Sequence, residues 1–122
     1  MAGKITVSTI NDSSGVLATQ NGMTGIAKAW VMFAANTGTA VINSSFNVSS
    51  VTRNSAGNFT VNFTTAMPSS TYASAVTSGT LGTNYGIVQL GTPTTTSLTF
   101  GTFTIAGTGF DSTYNGVAIF SA

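Results

Sequence analysis

An all-β fold, an antiparallel sandwich, follows from three observations on this sequence. Strand-like runs return at intervals of about 8 to 14 residues with turn formers between them, the rhythm of a sandwich or barrel. Thr, Val, Phe, Asn and Gly dominate, and with no Glu the i,i+4 charge pairs that support helices are lacking. A length of 122 residues suits one domain with a core of its own.

The runs are 3–9, 26–33, 39–43, 46–52, 58–65, 72–78, 84–91, 97–105 and 114–121. The first stands apart, because NDSSGVLATQNGMTG (11–25) has weak periodicity and several turn formers. Residues 1–24 therefore read either as an extended N-terminal arm that packs outside its own sandwich or as an edge strand with a long loop. On the first reading, 25–122 is a jelly-roll-like β-sandwich of about eight strands.

IAKAWVMF (26–33) is apolar on both faces, with Ile26, Trp30 and Met32 on one and Ala27, Ala29, Val31 and Phe33 on the other. VAIF (117–120) is likewise two-faced. A strand of an isolated antiparallel sandwich normally keeps one wet face, so these two predict subunit contacts. The candidate interface residues are Ile26, Ala29, Trp30, Val31, Met32, Phe33, Val117, Ile119 and Phe120. Central strands covered by loops or by the arm are the alternative.

Asn58–Thr64 alternates cleanly, with Phe59, Val61 and Phe63 facing in and Thr60, Asn62 and Thr64 facing out. Before it, RNSAG (53–57) places Gly57 where a tight hairpin needs positive φ. In SLTFGTFTI the apolar parity moves from Leu98 and Phe100 to Phe103 and Ile105, which predicts a β-bulge at Gly101. The Thr-rich stretch TPTTTSLTFGTFT keeps no fixed period, so no solenoid is expected.

Only 4% of the residues are charged: Lys4, Lys28 and Arg53 against Asp12 and Asp111. Ser, Thr and Asn are roughly two fifths of the chain, so neutral hydrogen-bonding groups must carry its solubility. Three basic residues are too few to track a phosphate backbone, which argues against nucleic acid as a partner. There is no Cys for a disulfide or thiolate site. No apolar run approaches the ~18 residues of a membrane span, and the N-terminus lacks a signal peptide's apolar stretch. A chain starting at Met1, complete and made soluble in a cytoplasm, is expected. The N-x-S/T sequons at Asn11, Asn43, Asn47, Asn58 and Asn62 are then expected to stay unmodified.

Nucleophilic catalysis needs a base beside its nucleophile, and the chain has many hydroxyls but no His. A paired-carboxylate site would need Asp12 and Asp111 to converge, yet both sit in turn contexts that suit Asx turns. Lys28 shares a strand face with Trp30 and is expected to snorkel. No enzyme, cofactor or metal site is expected; Asp111 with Asn115 would make at best a weak Ca²⁺ site. What remains is binding. Tyr72, Tyr85 and Tyr114 lie among polar residues, where stacking and neutral hydrogen bonds suit a carbohydrate or a protein surface, although core or subunit-interface packing is the commoner use of such aromatics.

The block AKAWVMF (27–33), then SSFNVSSVTRNSAGNFTVNFTTAMPSSTYA (44–73), resembles a pattern common in bacteriophage tail-fibre and virion appendage proteins. In that pattern an A-K-A-W-V-x-F strand precedes F-N-V-S-S-V-T and a G-x-[FY]-T-V-N-F-T strand. Residues 84–122 carry no motif that matches. The resemblance implies a virion structural protein, commonly a homotrimer with a β-sandwich head, made in a bacterial host, in contact with other virion proteins and with a host surface glycan or protein. Such blocks often end much longer fibres, so a short chain suits either a small tail fibre or a capsid decoration protein. A lectin-like sugar-binding module would share the fold.

Overall fold

The computed structural model describes residues 3, 26–36, 38–80 and 86–121. Among them are eight strands: β1 (Ala29–Ala34), β2 (Val41–Phe46), β3 (Val48–Ser55), β4 (Asn58–Phe63), β5 (Ala73–Gly79), β6 (Ile87–Leu90), β7 (Ser97–Phe103) and β8 (Tyr114–Phe120). They form two four-stranded sheets, β2-β1-β8-β5 and β3-β4-β7-β6, antiparallel throughout. The expected sandwich is thus present, and its hairpins β1–β2, β3–β4 and β6–β7 each stay within one sheet. The expected run 3–9 and the arm 1–24 lie, Gly3 apart, outside the described residues.

Alternation builds the core. Ala29, Val31 and Phe33 of β1 and Val117 and Ile119 of β8 face Phe59, Val61 and Phe63 of β4 and Leu98 and Phe100 of β7, all buried. Three rings join the sheets: Phe33 meets Phe59 edge-on at 5.2 Å and Phe100 at 6.2 Å, while Phe59 and Phe100 lie 5.7 Å apart. Such ring pairs contribute about 0.5–1.5 kcal/mol each beyond the area they bury.

A buried polar knot closes one end of the core. Asn115 sits on the inward face of β8, its Nδ2 donating to the Ser112 carbonyl at 3.0 Å and its Oδ1 accepting from Ser112 Oγ at 2.8 Å. Ser112 Oγ also meets Ser78 Oγ of β5, and the Ser112 carbonyl accepts from Ala35 N. Among the described residues no buried side-chain polar atom lacks a partner, as the cost of desolvating one requires.

The bulge expected at Gly101 is not there. The β4–β7 and β6–β7 registers run through Gly101 without a shift. Parity is kept because Thr102, not Phe103, takes the inward place and donates its hydroxyl to the Phe110 carbonyl at 2.6 Å. Phe103 stays on the outer face, and Ile105 lies beyond the strand, 72% exposed. A bulge instead falls in the β1–β2 pair, where Met32 opposes Ser44 and Phe33 opposes Ile42, leaving Asn43 as the extra residue. Gly57 does take positive φ, at 68°. A Cβ there would also stand 2.4 Å from the Thr102 carbonyl oxygen, so the β3–β4 turn is pressed against the loop after β7.

The chain changes sheets between β2 and β3 at Asn47, a non-glycine residue with φ of 54°. Its Nδ2 donates to the carbonyls of Lys28 (3.0 Å) and Thr65 (3.1 Å), and its Oδ1 accepts from Thr65 N (2.7 Å). Asn tolerates left-handed backbone and supplies both polarities, so it suits this corner. Asn47→Ala is expected to lower stability by about 2–4 kcal/mol, from lost hydrogen bonds at ~1 kcal/mol each and from a left-handed backbone no longer supported by a polar side chain. Asn47→Gly keeps the backbone and is expected to lose about 1 kcal/mol less. Urea unfolding of the two variants checks the order; equal losses would remove the backbone share of the argument.

Candidate functional site

The outer face of β2-β1-β8-β5 is mainly apolar, with Ser44 and Thr77 as polar members on its two edge strands. Cross-strand partners share a face, so Phe46, Trp30, Ala118 and Ala75 form one row, and Ser44, Met32, Gly116 and Thr77 the next. Phe120 stands opposite Ala73 at one end, and Tyr114 opposite Gly79 at the other. Trp30, Met32, Phe46, Tyr114 and Phe120 all count among the exposed large side chains. They make a ridge on β1 and β2 and two end posts on β8, around a floor of Ala and Gly.

This divides the residues expected at a subunit interface. Trp30, Met32 and Phe120 lie on this outer face, and Ile26 is exposed just before β1. Ala29, Val31, Phe33, Val117 and Ile119 do not: each is at most 4% exposed, in the core of the sandwich itself. Their strands are two-faced because one face builds the core and the other is left bare. Phe46 was not among the expected residues. It follows a bulge in an edge strand whose burial pattern does not alternate, so its parity could not be read from β2 alone.

The outer face of β3, β4 and β7 has the opposite character, while β6 adds the exposed Ile87 beside Phe103. Thr60 Oγ1 and Thr99 Oγ1 are hydrogen-bonded across β4 and β7, Asn62 Nδ2 donates to Ser50 Oγ and Thr52 Oγ1, and Asn54 Nδ2 donates to Asn58 Oδ1 and Thr60 Oγ1. Neutral side chains thus hold one another in a polar lattice. Arg53 lies opposite Phe59 in the register and turns to Asp111, and Lys28 is only 2% exposed, so among the described residues neither outer face presents an exposed charge.

The tyrosines separate. Tyr72 is half-buried, its ring packed edge-on against Phe63 at 6.0 Å and its hydroxyl donating to the Ser97 carbonyl at 3.0 Å, so it seals the sandwich and is no surface contact. Burial pushes its phenol pKa up. Tyr114 is exposed, but on the apolar face rather than on a polar loop. Tyr85 lies outside the described residues.

Asp111 is no local Asx turn. Its Oδ2 pairs with Arg53 Nη2 at 2.8 Å and its Oδ1 accepts from Gly57 N at 3.0 Å, tying the loop before β8 to the β3–β4 hairpin. Both oxygens are occupied, and Asn115 is bound inside, so the two do not converge on a cation. Among the described residues no three His, Cys, Asp or Glu gather as a metal site. Lys28 is buried instead of snorkelling, with its N–H on the Ile119 carbonyl and its own carbonyl on Asn47. No helix among the described residues is long and apolar enough to cross a membrane.

No protein-family model matches this chain, no curated protein matches it, and no solved structure matches it.

Partial burial raises the Asp111 pKa, but the Arg53 hydrogen bond, the Gly57 N–H and the Arg53 charge outweigh it and hold the carboxyl below its ordinary value. A depressed folded-state pKa means the stabilisation is complete above the ordinary carboxylate value and is lost as pH falls through the lower, folded one. Asp111→Asn is therefore expected to be less stable than the parent at neutral pH and to converge with it in strong acid. Thermal unfolding across pH 2 to 7, about the span of that transition, checks this; a gap independent of pH would exclude the ion pair as its source.

Proposed function

We propose that this protein is a bacteriophage virion structural protein, a short trimeric tail-fibre or appendage protein. It attaches to the particle by its N-terminal segment and turns its polar surface to the host. The observation that carries the reading is the pair of opposed outer faces, one apolar and one neutral-polar, on a sandwich whose surface charge is nearly nil. The resemblance of residues 25–73 to tail-fibre sequence supplies the virion context.

The apolar face is the subunit interface in this reading. Its six large side chains, Trp30, Met32, Phe46, Tyr114, Phe120 and Val41 (opposite Ala34 on the same face), are 37–52% exposed. At ~150–250 Å² per large side chain they offer on the order of 500 Å² before the Ala and Gly floor is added. A stable interface takes ~800 Å² per partner. With no exposed charge on the face, identical copies meet without like-charge repulsion, and the bulky β1–β2 half of one copy fits between the Tyr114 and Phe120 posts onto the Ala and Gly floor of the next.

Trp30→Arg combined with Phe120→Arg is expected to turn a trimer into a monomer of unchanged far-UV circular dichroism, since both side chains lie outside the core. Light scattering on parent and variant tests this, and a monomeric parent at micromolar concentration would overturn the interface. Labelling the protein in purified particles tests the location. Label on the tail supports the fibre reading, label on the capsid surface makes it a decoration protein, and absence from particles overturns both.

A further inference from the structure

A hollow of about 160 Å³ opens on the outer face of β3-β4-β7-β6, and its walls include Asn58, Gln89, Gly91, Thr99, Gly101 and Phe103. The register explains it. Asn58 and Gln89 flank Gly101 in one row across β4, β7 and β6, so two primary amides stand on either side of a residue with no side chain. The Phe103 ring leans back over that gap, close enough that a Cβ on Gly101 would meet its Cε2 at 2.5 Å. Phe103 also lines the hollow, so part of the ring is open to it beside the two amides.

The polar groups around the ring are left with capacity. Asn54 Nδ2 donates to Asn58 Oδ1 at 2.7 Å, which orients that amide and leaves the Asn58 Nδ2 protons for another acceptor. The Gln89 amide makes no hydrogen bond to a described residue, and the side chain is exposed on the short edge strand. No charged side chain lines the hollow.

We propose that this hollow binds a single ring of a neutral hexose. A pyranose has an apolar C–H face that stacks on an aromatic ring, and a rim of hydroxyls that both donate and accept. A primary amide matches a pair of adjacent hydroxyls, because it offers a carbonyl acceptor and two N–H donors in one plane. The absence of cations removes any preference for carboxylated or phosphorylated sugars. The volume suits one ring, being below the ~300–1,000 Å³ typical of sites for larger ligands. Single-site binding to so open a hollow is weak, and several copies on one oligomer raise the avidity when the sugars are presented on a surface.

The proposal deepens the host-contact reading and rests on it for the outward orientation of this face. It is tested by nuclear magnetic resonance titration of the purified parent protein with D-glucose, D-galactose, D-mannose and N-acetyl-D-glucosamine, with D-glucuronate as the charged control. The expected result is a saturable shift of the Asn58 and Gln89 side-chain amides with at least one neutral sugar, and no tighter binding of glucuronate. Gln89→Ala, at an exposed edge position, and Phe103→Leu are each expected to weaken binding at least tenfold, about 1.4 kcal/mol. No saturable shift with any neutral sugar overturns the proposal, as do shifts that survive both substitutions. Failure here with particle association intact removes the sugar site alone; absence from particles removes the virion reading while the titration still decides the site.

Discussion

The contact among Phe33, Phe59 and Phe100 sets the parity of the whole sandwich. In a strand, fixing one side chain inward fixes every second neighbour inward and the rest outward. Phe33 inward commits Trp30 and Met32 to the outer face of β1. Phe59 inward commits Asn58, Thr60 and Asn62 to the outer face of β4. Phe100 inward puts Thr99, Gly101 and Phe103 outside on β7, and so opens the hollow between Asn58 and Gln89. A slip of one residue in β4 would bury the Asn58 and Asn62 amides and expose Phe59 and Phe63, and a slip in β1 or β7 would turn Phe33 or Phe100 outward. The energetics of the core and the chemistry of both surfaces thus hang on one cluster.

Scarcity of charge shapes the remainder. With the Arg53–Asp111 pair spent on tying a hairpin to a loop, junctions elsewhere depend on neutral groups. Asn47 holds the sheet change with a single amide, and Ser112 with Asn115 closes the end of the core. A neutral hydrogen bond contributes only ~1 kcal/mol net, but an unmade one in the interior costs more, so these sites tolerate little change. The polar lattice on the outer face of β4 and β7 works by the same chemistry at lower stakes, because water can replace any one partner.

Strand positions were legible because alternation is a local signal: Phe59, Val61 and Phe63 announce β4, and Gly57 announces its turn. Two features were not. At Gly101 the hydrophobic pattern pointed to a bulge, because Thr102 reads as an outward residue. Its hydroxyl is satisfied inside by the Phe110 carbonyl, a partner supplied eight residues later by tertiary packing. The interface list mixed both faces of β1 and β8, since a strand apolar on both sides does not say which side is the core. The hollow was illegible for a related reason. Asn58, Gln89 and Gly101 are far apart in the chain, and only the register brings them into one row.

The edges of the sheets bear on how copies can meet. An open edge strand is a template for pairing with another chain, and most proteins blunt such edges with charge. Charge is nearly absent here, and geometry takes its place. β2 carries the bulge at Asn43, β3 has register shifts at two places, and β6 is four residues long. Each of these interrupts the continuous row of backbone donors and acceptors that edge-to-edge pairing needs. Association by strand addition is thereby disfavoured on three of the four edges. The broad apolar face, where no backbone hydrogen bond has to be made, is left as the surface on which copies gain most by burying area.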